Sequence, residues 1–426
     1  LERGRTVERY VIQGGIALTG SLNVQGAKNS ALPIIAACLL GTGASILDNV
    51  PPLSDVAVMS QIMETIGAKI TWTGENRLRV DCTELDNWAI PDCLMRRMRS
   101  SFIVVGPLLG RLGRVRVTYP GGCAIGTRAI DLHLQGLKKL GAKITTGPSG
   151  QIEFQASQLG GAFIDLDIPS VGATENILMA AVTAQGTTVI NNPAREPEII
   201  DLQCFLNKMG AKVTGAGGDQ IVIQGVNRLV PASHEIISDR IVAGTLLVAA
   251  AVTGGRITLT KVVPAHLSVV VAKLAEMGAA IEVGEDYITL YAPERLKSVE
   301  KIITAPYPGF PTDMQPQFMA ALASAQGVGV LTEKIFDGRF KHIDELRRMG
   351  ANISVDGRTA IIRGERLRGA SVEATDLRAG AALAIAALAA EGVTSISGVQ
   401  HIDRGYVALE AQLAALGAQI SREKEA

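Results

Sequence analysis

The segment Tyr119–His133, YPGGCAIGTRAIDLH, sets a thiol among glycines, with an arginine five residues later and an aspartate three beyond that. Cys123 lies between Gly122 and Gly126, on pliable backbone near the Arg128 cation. A thiol in such a place is accessible and more acidic than a buried one, so it can donate a proton or form a bond to carbon. The other cysteines lack this setting. Cys38 and Cys204 fall inside apolar helical patterns and read as inert core residues, while Cys82 and Cys93 have no chemical neighbours in sequence. Asp131 and His133 resemble a fragment of a catalytic triad, yet at a helix start this pair reads as capping and packing. A second candidate is Asp313, in the stretch Pro308–Gln315, PGFPTDMQ. The prolines stiffen its approach. Either it caps the following helix, or it holds a carboxylate near a substrate hydroxyl as a general base.

Cations recur near these acids. Lys28–Asn29 and Arg99 stand at predicted helix N-termini, as does Arg378; Arg128, Arg339 and Arg404 stand in the loops entering other helices. Helix N-termini expose unpaired N–H groups and attract anions, and an arginine fork pairs with carboxylate or phosphate through two parallel hydrogen bonds. Arg96 and Arg97 read as solvated surface charges.

The elements that must carry these residues show a repeat. IGAKI, LGAKI, MGAKV, MGAAI, MGANI and LGAQI place glycines at 67, 141, 210, 278, 350 and 417. Each reads as an amphipathic helix stopped by a left-handed glycine and followed by a strand. An interleaved series, from NSALPIIAACLL to RAGAALAIAALAA, reads as helices apolar on every side and therefore buried. The fold expected is a two-domain α/β protein of six βαβαβ-type repeats, three per domain. Its 426 residues exceed what one core usually supports.

Balanced charge, 41 basic against 41 acidic residues, excludes a broad nucleic-acid-binding or membrane-binding surface. Five scattered cysteines without a CxxC pair fit a reducing compartment. The histidines show no metal-ligand spacing, so neither metal nor cofactor is expected. The charged opening is not a signal peptide, and the Ala379–Ala390 apolar run is too short to span a bilayer. A soluble, cytoplasmic chain is expected.

The phrases GAKNSALPIIAACLL, PGGCAIGTRAIDLH, PSVGATENILMAA, PGFPTDMQPQ, FDGRFKHIDELRRMGA and HIDRGY run through nearly the whole chain, from about Tyr10 to Ile420. Together they resemble the UDP-N-acetylglucosamine 1-carboxyvinyltransferases, enolpyruvyl transferases of the EPSP synthase family. The resemblance implies two inside-out α/β barrels that close over their substrates. Residues 28–235 would form one, and 1–27 with 236–426 the other. It also implies transfer of the enolpyruvyl group of phosphoenolpyruvate to the 3′-hydroxyl of UDP-N-acetylglucosamine, with phosphate released, by addition and elimination through a tetrahedral intermediate. This is the first committed step of peptidoglycan synthesis.

By the same resemblance Cys123 is the proton donor and Asp313 the base, with Lys28 and Arg404 completing the catalytic set. Lys28, Asn29, Arg128, Arg378 and Arg404 bind phosphoenolpyruvate. The nucleotide sugar lies against Arg99, Arg128, Ala129, Ile130, Asp131, Leu132, Ser170, Val171, Gly172, Asp313 and Ile335, and Arg339 is a further site residue. The partners expected are these two small molecules, with the enzyme a monomer and its Cys123 open to alkylation by fosfomycin. Ala129 stands where a proline is common, and Ile168 where some members carry a basic residue. Two rivals stay open: a shikimate-pathway enolpyruvyl transferase, which needs no Cys123, and a catalytically silent protein that keeps the fold.

Overall fold

A computed structural model describes residues 8–121, 130–148 and 150–424. The six recurring glycines all have φ between 91° and 102°, a region in which a side chain would be strained. Each directly follows an amphipathic helix: Ser54–Thr65, Asp131–Lys139, Pro197–Lys208, Ser268–Glu276, Ile343–Arg348 and Leu409–Ala415. A second set, Gly43, Gly113, Gly186, Gly254, Gly327 and Gly392, also has positive φ and stands between each buried helix and its strand. These buried helices are Lys28–Ala37, Val105–Leu112, Val171–Ala181, Arg240–Val252, Gln315–Ser324 and Leu377–Ala389. From Ile241 to Ala251 every residue is buried, as an all-round apolar surface requires.

The strands form six sheets among the described residues. A typical sheet pairs the short strand Phe163–Asp165 in parallel with Thr187–Asn191, which is followed by antiparallel Gln220–Gln224 and Lys212–Thr214. Five of the repeats thus end in a hairpin after the amphipathic helix, while in the sixth the strand Gln419–Lys424 pairs with the distant Glu8–Gln13. In the sheet of Arg114–Thr118 the parallel edge is reduced to a single bridge between Ala89 and Arg116. Three sheets are completed by distant chain, one of them by Thr19–Asn23 running parallel to Arg256–Thr260. Ser233–Glu235 pairs with Ala44–Asp48, and Glu8–Gln13 lies between Val393–Ser397 and Gln419–Lys424, with Ile12 opposite both Thr394 and Ile420. Strands alternate buried and less buried residues, as in Ala44–Asp48, so one face of each sheet covers the helices.

Among the described residues the chain divides into two compact units. One holds residues up to Gln25 and from Ser238 onward; the other holds Gly26 to Ile237. Each contains three of the sheets and three of the buried helices. No described helix is long and apolar enough to cross a membrane.

One buried helix is broken, and the cause is visible. Residues Arg99–Val104 form a 3₁₀ segment before the α-helix Val105–Leu112. Asn176, fully buried on the Val171–Ala181 helix, accepts from the Gly106 amide at 2.7 Å and donates to the Phe102 carbonyl at 3.0 Å. Those two groups would bond each other in a regular helix, so the Asn176 amide is a splint inserted into the ladder. Gly106 permits the approach, because a Cβ there would lie 2.2 Å from the Asn176 carbonyl oxygen.

Candidate functional site

In the unit that begins again at Ser238, Asp313 is the centre of a charge cluster. It sits in the 3₁₀ turn Thr312–Met314 just before the Gln315–Ser324 helix, and neither it nor Thr312 caps that helix. The capping alternative is therefore set aside. Asp313 Oδ1 accepts from Arg339 Nη2 at 2.7 Å, while Oδ2 accepts from Arg378 Nη2 at 3.0 Å and from its Nε at 3.3 Å. Both guanidiniums are only 3% exposed, the carboxylate 27%. Burial alone would raise the carboxyl's proton affinity, but Arg378 and then Arg339 outweigh it and hold Asp313 well below the usual carboxylate range. Arg378 follows the Asp376 cap of its own helix, whose side chain accepts from the Arg378 and Ala379 amides. Arg378 Nη1 and Arg339 Nε are buried and make no hydrogen bond among the described residues, so each arginine keeps a donor beyond those given to Asp313.

Behind this cluster stands a residue that sequence reasoning missed. Glu333, 1% exposed, accepts from the hydroxyls of Thr304 and Thr312 at 2.8 Å each. It also accepts from the amides of Ile335 and Phe336 at 2.7 and 3.1 Å. Thr312 in turn accepts from Arg339 Nη1 at 3.1 Å. One carboxylate thus sets the turn bearing Ile335 and the hydroxyl that steadies Arg339. Arg404 ends the 3₁₀ segment Val399–Arg404, half-buried, two residues before Tyr406, whose ring lies under Arg378 at 5.4 Å.

In the other unit, Lys28 opens the first buried helix, with Asn29 half-buried beside it. Lys28 Nζ pairs with Asp55 Oδ2 at 2.8 Å, and both side chains are nearly enclosed, at 10% and 5% exposure. Asp55 comes from the first turn of the Ser54–Thr65 helix, which the sequence did not single out.

A second group in that unit gathers around His133. Its Nδ1 accepts from Asn176 Nδ2 at 2.9 Å, which places the ring proton on Nε2. Phe102 packs edge-on at 5.2 Å, and a Cβ on Gly172 would lie 3.1 Å from the ring. Burial, with the Arg99 charge adding, pushes the imidazole down to about 3, so it is neutral at ordinary pH. His133 is therefore packed, as the sequence suggested, but it is packed among candidates. Asp131 and Leu132 precede it on the same helix, Ile130 is buried, and Ser170 Oγ accepts from the Ala173 amide to cap the helix bearing Val171 and Gly172. Ile168, just upstream, is 63% exposed.

Other assignments divide. Cys123, Arg128 and Ala129 lie outside the described residues. Arg96 and Arg97 are surface groups, paired with Asp92 at 2.7 Å and Gln61 at 2.5 Å. Cys38 and Cys82 are buried, but Cys204 is exposed, which corrects its reading as a core residue. On its helix Leu202, Phe205 and Leu206 take the inward positions, leaving Cys204 outward.

The profile of the family described as EPSP synthase (3-phosphoshikimate 1-carboxyvinyltransferase) matches residues 12–413. UDP-N-acetylglucosamine 1-carboxyvinyltransferase 1 of Symbiobacterium thermophilum is 53% identical over 97% of this chain and 95% of its own. UDP-N-acetylglucosamine 1-carboxyvinyltransferase 2 of Caldanaerobacter subterraneus subsp. tengcongensis is 51% identical over 97% of this chain and 99% of its own. Among solved structures, the enolpyruvyl transferase NikO from Streptomyces tendae matches with a TM-score of 0.88 and 25% identity over 99% of this chain and 100% of its own. EPSP synthase from Acinetobacter baumannii matches with a TM-score of 0.76 and 21% identity, over 98% and 100%.

Proposed function

The chain belongs to the EPSP synthase family, with the two-domain α/β fold of that group, and from this we propose that it transfers the enolpyruvyl group of phosphoenolpyruvate to the 3′-hydroxyl of UDP-N-acetylglucosamine. Phosphate is released, and the product enters peptidoglycan synthesis. The observation that carries the reading is the near-full-length match to two transferases of that name at half identity or better. Residues 28–235 form the domain carrying Cys123, and 1–27 with 236–426 the domain carrying Asp313 and Arg404. The enzyme acts as a cytoplasmic monomer on these two small molecules.

Each step calls for a residue type already present. Phosphoenolpyruvate is a poor electrophile at C2 until C3 is protonated, and Cys123 supplies that proton. General acid catalysis of this kind contributes roughly 10²- to 10⁴-fold. The 3′-hydroxyl then attacks C2, and Asp313 takes its proton. Loss of a methyl proton and departure of phosphate complete the transfer. Lys28, Asn29, Arg128, Arg378 and Arg404 hold the phosphate and carboxylate of phosphoenolpyruvate. Arg99, Arg128–Leu132, Ser170–Gly172 and Ile335 hold the nucleotide sugar.

The charge cluster adds a coupling between carboxylate binding and the base. A carboxylate gripped by two guanidiniums is a weak base, since protonation would forfeit both pairs. The unbonded Nη1 of Arg378 is a donor for the carboxylate of phosphoenolpyruvate. An arginine drawn toward that carboxylate loosens its hold on Asp313 and raises the affinity of Asp313 for a proton. Bound phosphoenolpyruvate thereby readies the base that acts on the nucleotide sugar.

Phosphate release measured with phosphoenolpyruvate and each acceptor separately tests the proposal. Turnover with UDP-N-acetylglucosamine, and none with shikimate 3-phosphate, is expected. The reverse pattern, or turnover unchanged in Cys123→Ala, overturns it. Mass spectrometry after fosfomycin treatment should find one adduct, on the Cys123 peptide.

A further inference from the structure

Tyr406 is 1% exposed, and its hydroxyl enters a polar knot inside an otherwise apolar core. Thr245 Oγ1 lies 2.9 Å from the phenolic oxygen, and Gln317 Nε2 lies 3.1 Å from the first and 3.3 Å from the second. The partners fix the order of the protons. The Thr245 hydroxyl donates to the Ile241 carbonyl at 2.7 Å, so its single proton is committed. Tyr406 must then donate to Thr245, while Gln317 donates toward both oxygens. The phenol therefore directs its hydrogen away from Arg378 and offers that side chain both its oxygen, which helps to hold the guanidinium's proton affinity up, and its ring, with the guanidinium carbon 5.4 Å from the centroid.

Packing alone does not account for this arrangement. A phenylalanine in place of Tyr406 would fill the same space, and a valine in place of Thr245 would match it in shape. Neither would carry the cost of burying hydroxyls and an amide. The knot also draws on three elements that bear candidate residues or lie beside them. Gln317 is in the helix that starts directly after the Asp313 turn, Thr245 is in the Arg240–Val252 helix, and Tyr406 stands two residues past Arg404.

We infer that Tyr406, oriented by Thr245 and Gln317, is a positioning residue that sets where the Arg378 guanidinium rests and so how it is shared between Asp313 and an incoming carboxylate. The inference rests on the reading of Arg378 as a ligand of phosphoenolpyruvate.

Its test is steady-state kinetics with each substrate varied, on Tyr406→Leu, Tyr406→Phe, Thr245→Val and Arg378→Lys, with melting temperatures in parallel. Tyr406→Leu, which removes the ring face, should raise KM for phosphoenolpyruvate about tenfold or more. KM for UDP-N-acetylglucosamine should stay within about twofold, since the contact acts on the ligand of phosphoenolpyruvate. Tyr406→Phe keeps the ring but loses its oxygen, Thr245→Val keeps both but loses their orientation, and each should give a smaller rise, about threefold, in the same constant. Wild-type constants in Tyr406→Leu, or equal rises in both KM values, overturn the inference while Arg378→Lys still weakens phosphoenolpyruvate. An unchanged constant in Arg378→Lys overturns the reading of Arg378 and this inference with it. If Tyr406→Leu does not fold, wild-type constants in both milder variants overturn the inference.

Discussion

Replacing Asp313 by asparagine removes the negative charge that Arg339 and Arg378 share while keeping the side chain's shape. Each guanidinium is 3% exposed, so neither can recover its pairing from water. Removing one partner of a buried ion pair costs about 3–5 kcal/mol, and the partial exposure of Asp313, 27%, points to the lower end. A loss of about 3 kcal/mol in a unit of this size lowers its melting temperature by about 6–12 °C. Calorimetry at pH 7 reads the effect directly, and a comparison across pH separates it from ordinary destabilisation. The proton affinity of Asp313 is depressed in the folded chain. Its stabilisation is therefore present above the unfolded carboxylate range and is lost as pH falls through the lower, folded value. The gap between wild type and variant should hold steady from pH 8 to pH 5 and close only below about pH 4. Catalysis is lost either way, so activity does not discriminate. A variant melting within about 1 °C of wild type, or a gap that already narrows between pH 7 and 5, refutes the clamp.

His133 titrates at about 3 in the folded chain, so below its unfolded value of about 6.5 the unfolded state takes a proton that the folded state refuses. Wild type should lose about 1–2 kcal/mol more than His133→Gln between pH 7 and 5, read by urea unfolding at both; equal losses count against the assignment. Asn176→Ala strips the splint from the Phe102 carbonyl and the Gly106 amide, at a cost of about 2–4 kcal/mol for two unsatisfied buried groups. Urea unfolding measures that cost, and an unchanged midpoint would mean that the segment rewinds into regular helix unaided.

The repeating glycines were legible because a left-handed backbone restricts residue type locally, whatever surrounds it. The buried helices were legible because an apolar surface on every side has no other home. The 3₁₀ break before Val105 was not, since its cause, Asn176, lies more than 70 residues from Phe102. For the same reason the acid at 313 was visible as a candidate but not as a clamped one. Its partners stand 26 and 65 residues away. Glu333 and Asp55 carried no local signal at all, for a buried carboxylate is recognised by the donors that converge on it. Cys204 was misread because its neighbours are apolar, and only the phase of its helix shows that it points outward.

The strand Glu8–Gln13 hydrogen-bonds on one side to Val393–Ser397 and on the other to Gln419–Lys424. A ribosome makes it early and its neighbours late. At about 5–20 residues per second, roughly 400 residues of synthesis separate them, a wait of about 20–80 s. Through that interval an alternating apolar strand has both edges unsatisfied, while the unit from Gly26 to Ile237 has its own sheets and can settle first. Nascent chains stalled before Val393 should therefore protect that inner unit from protease and leave the early strand open to chaperones.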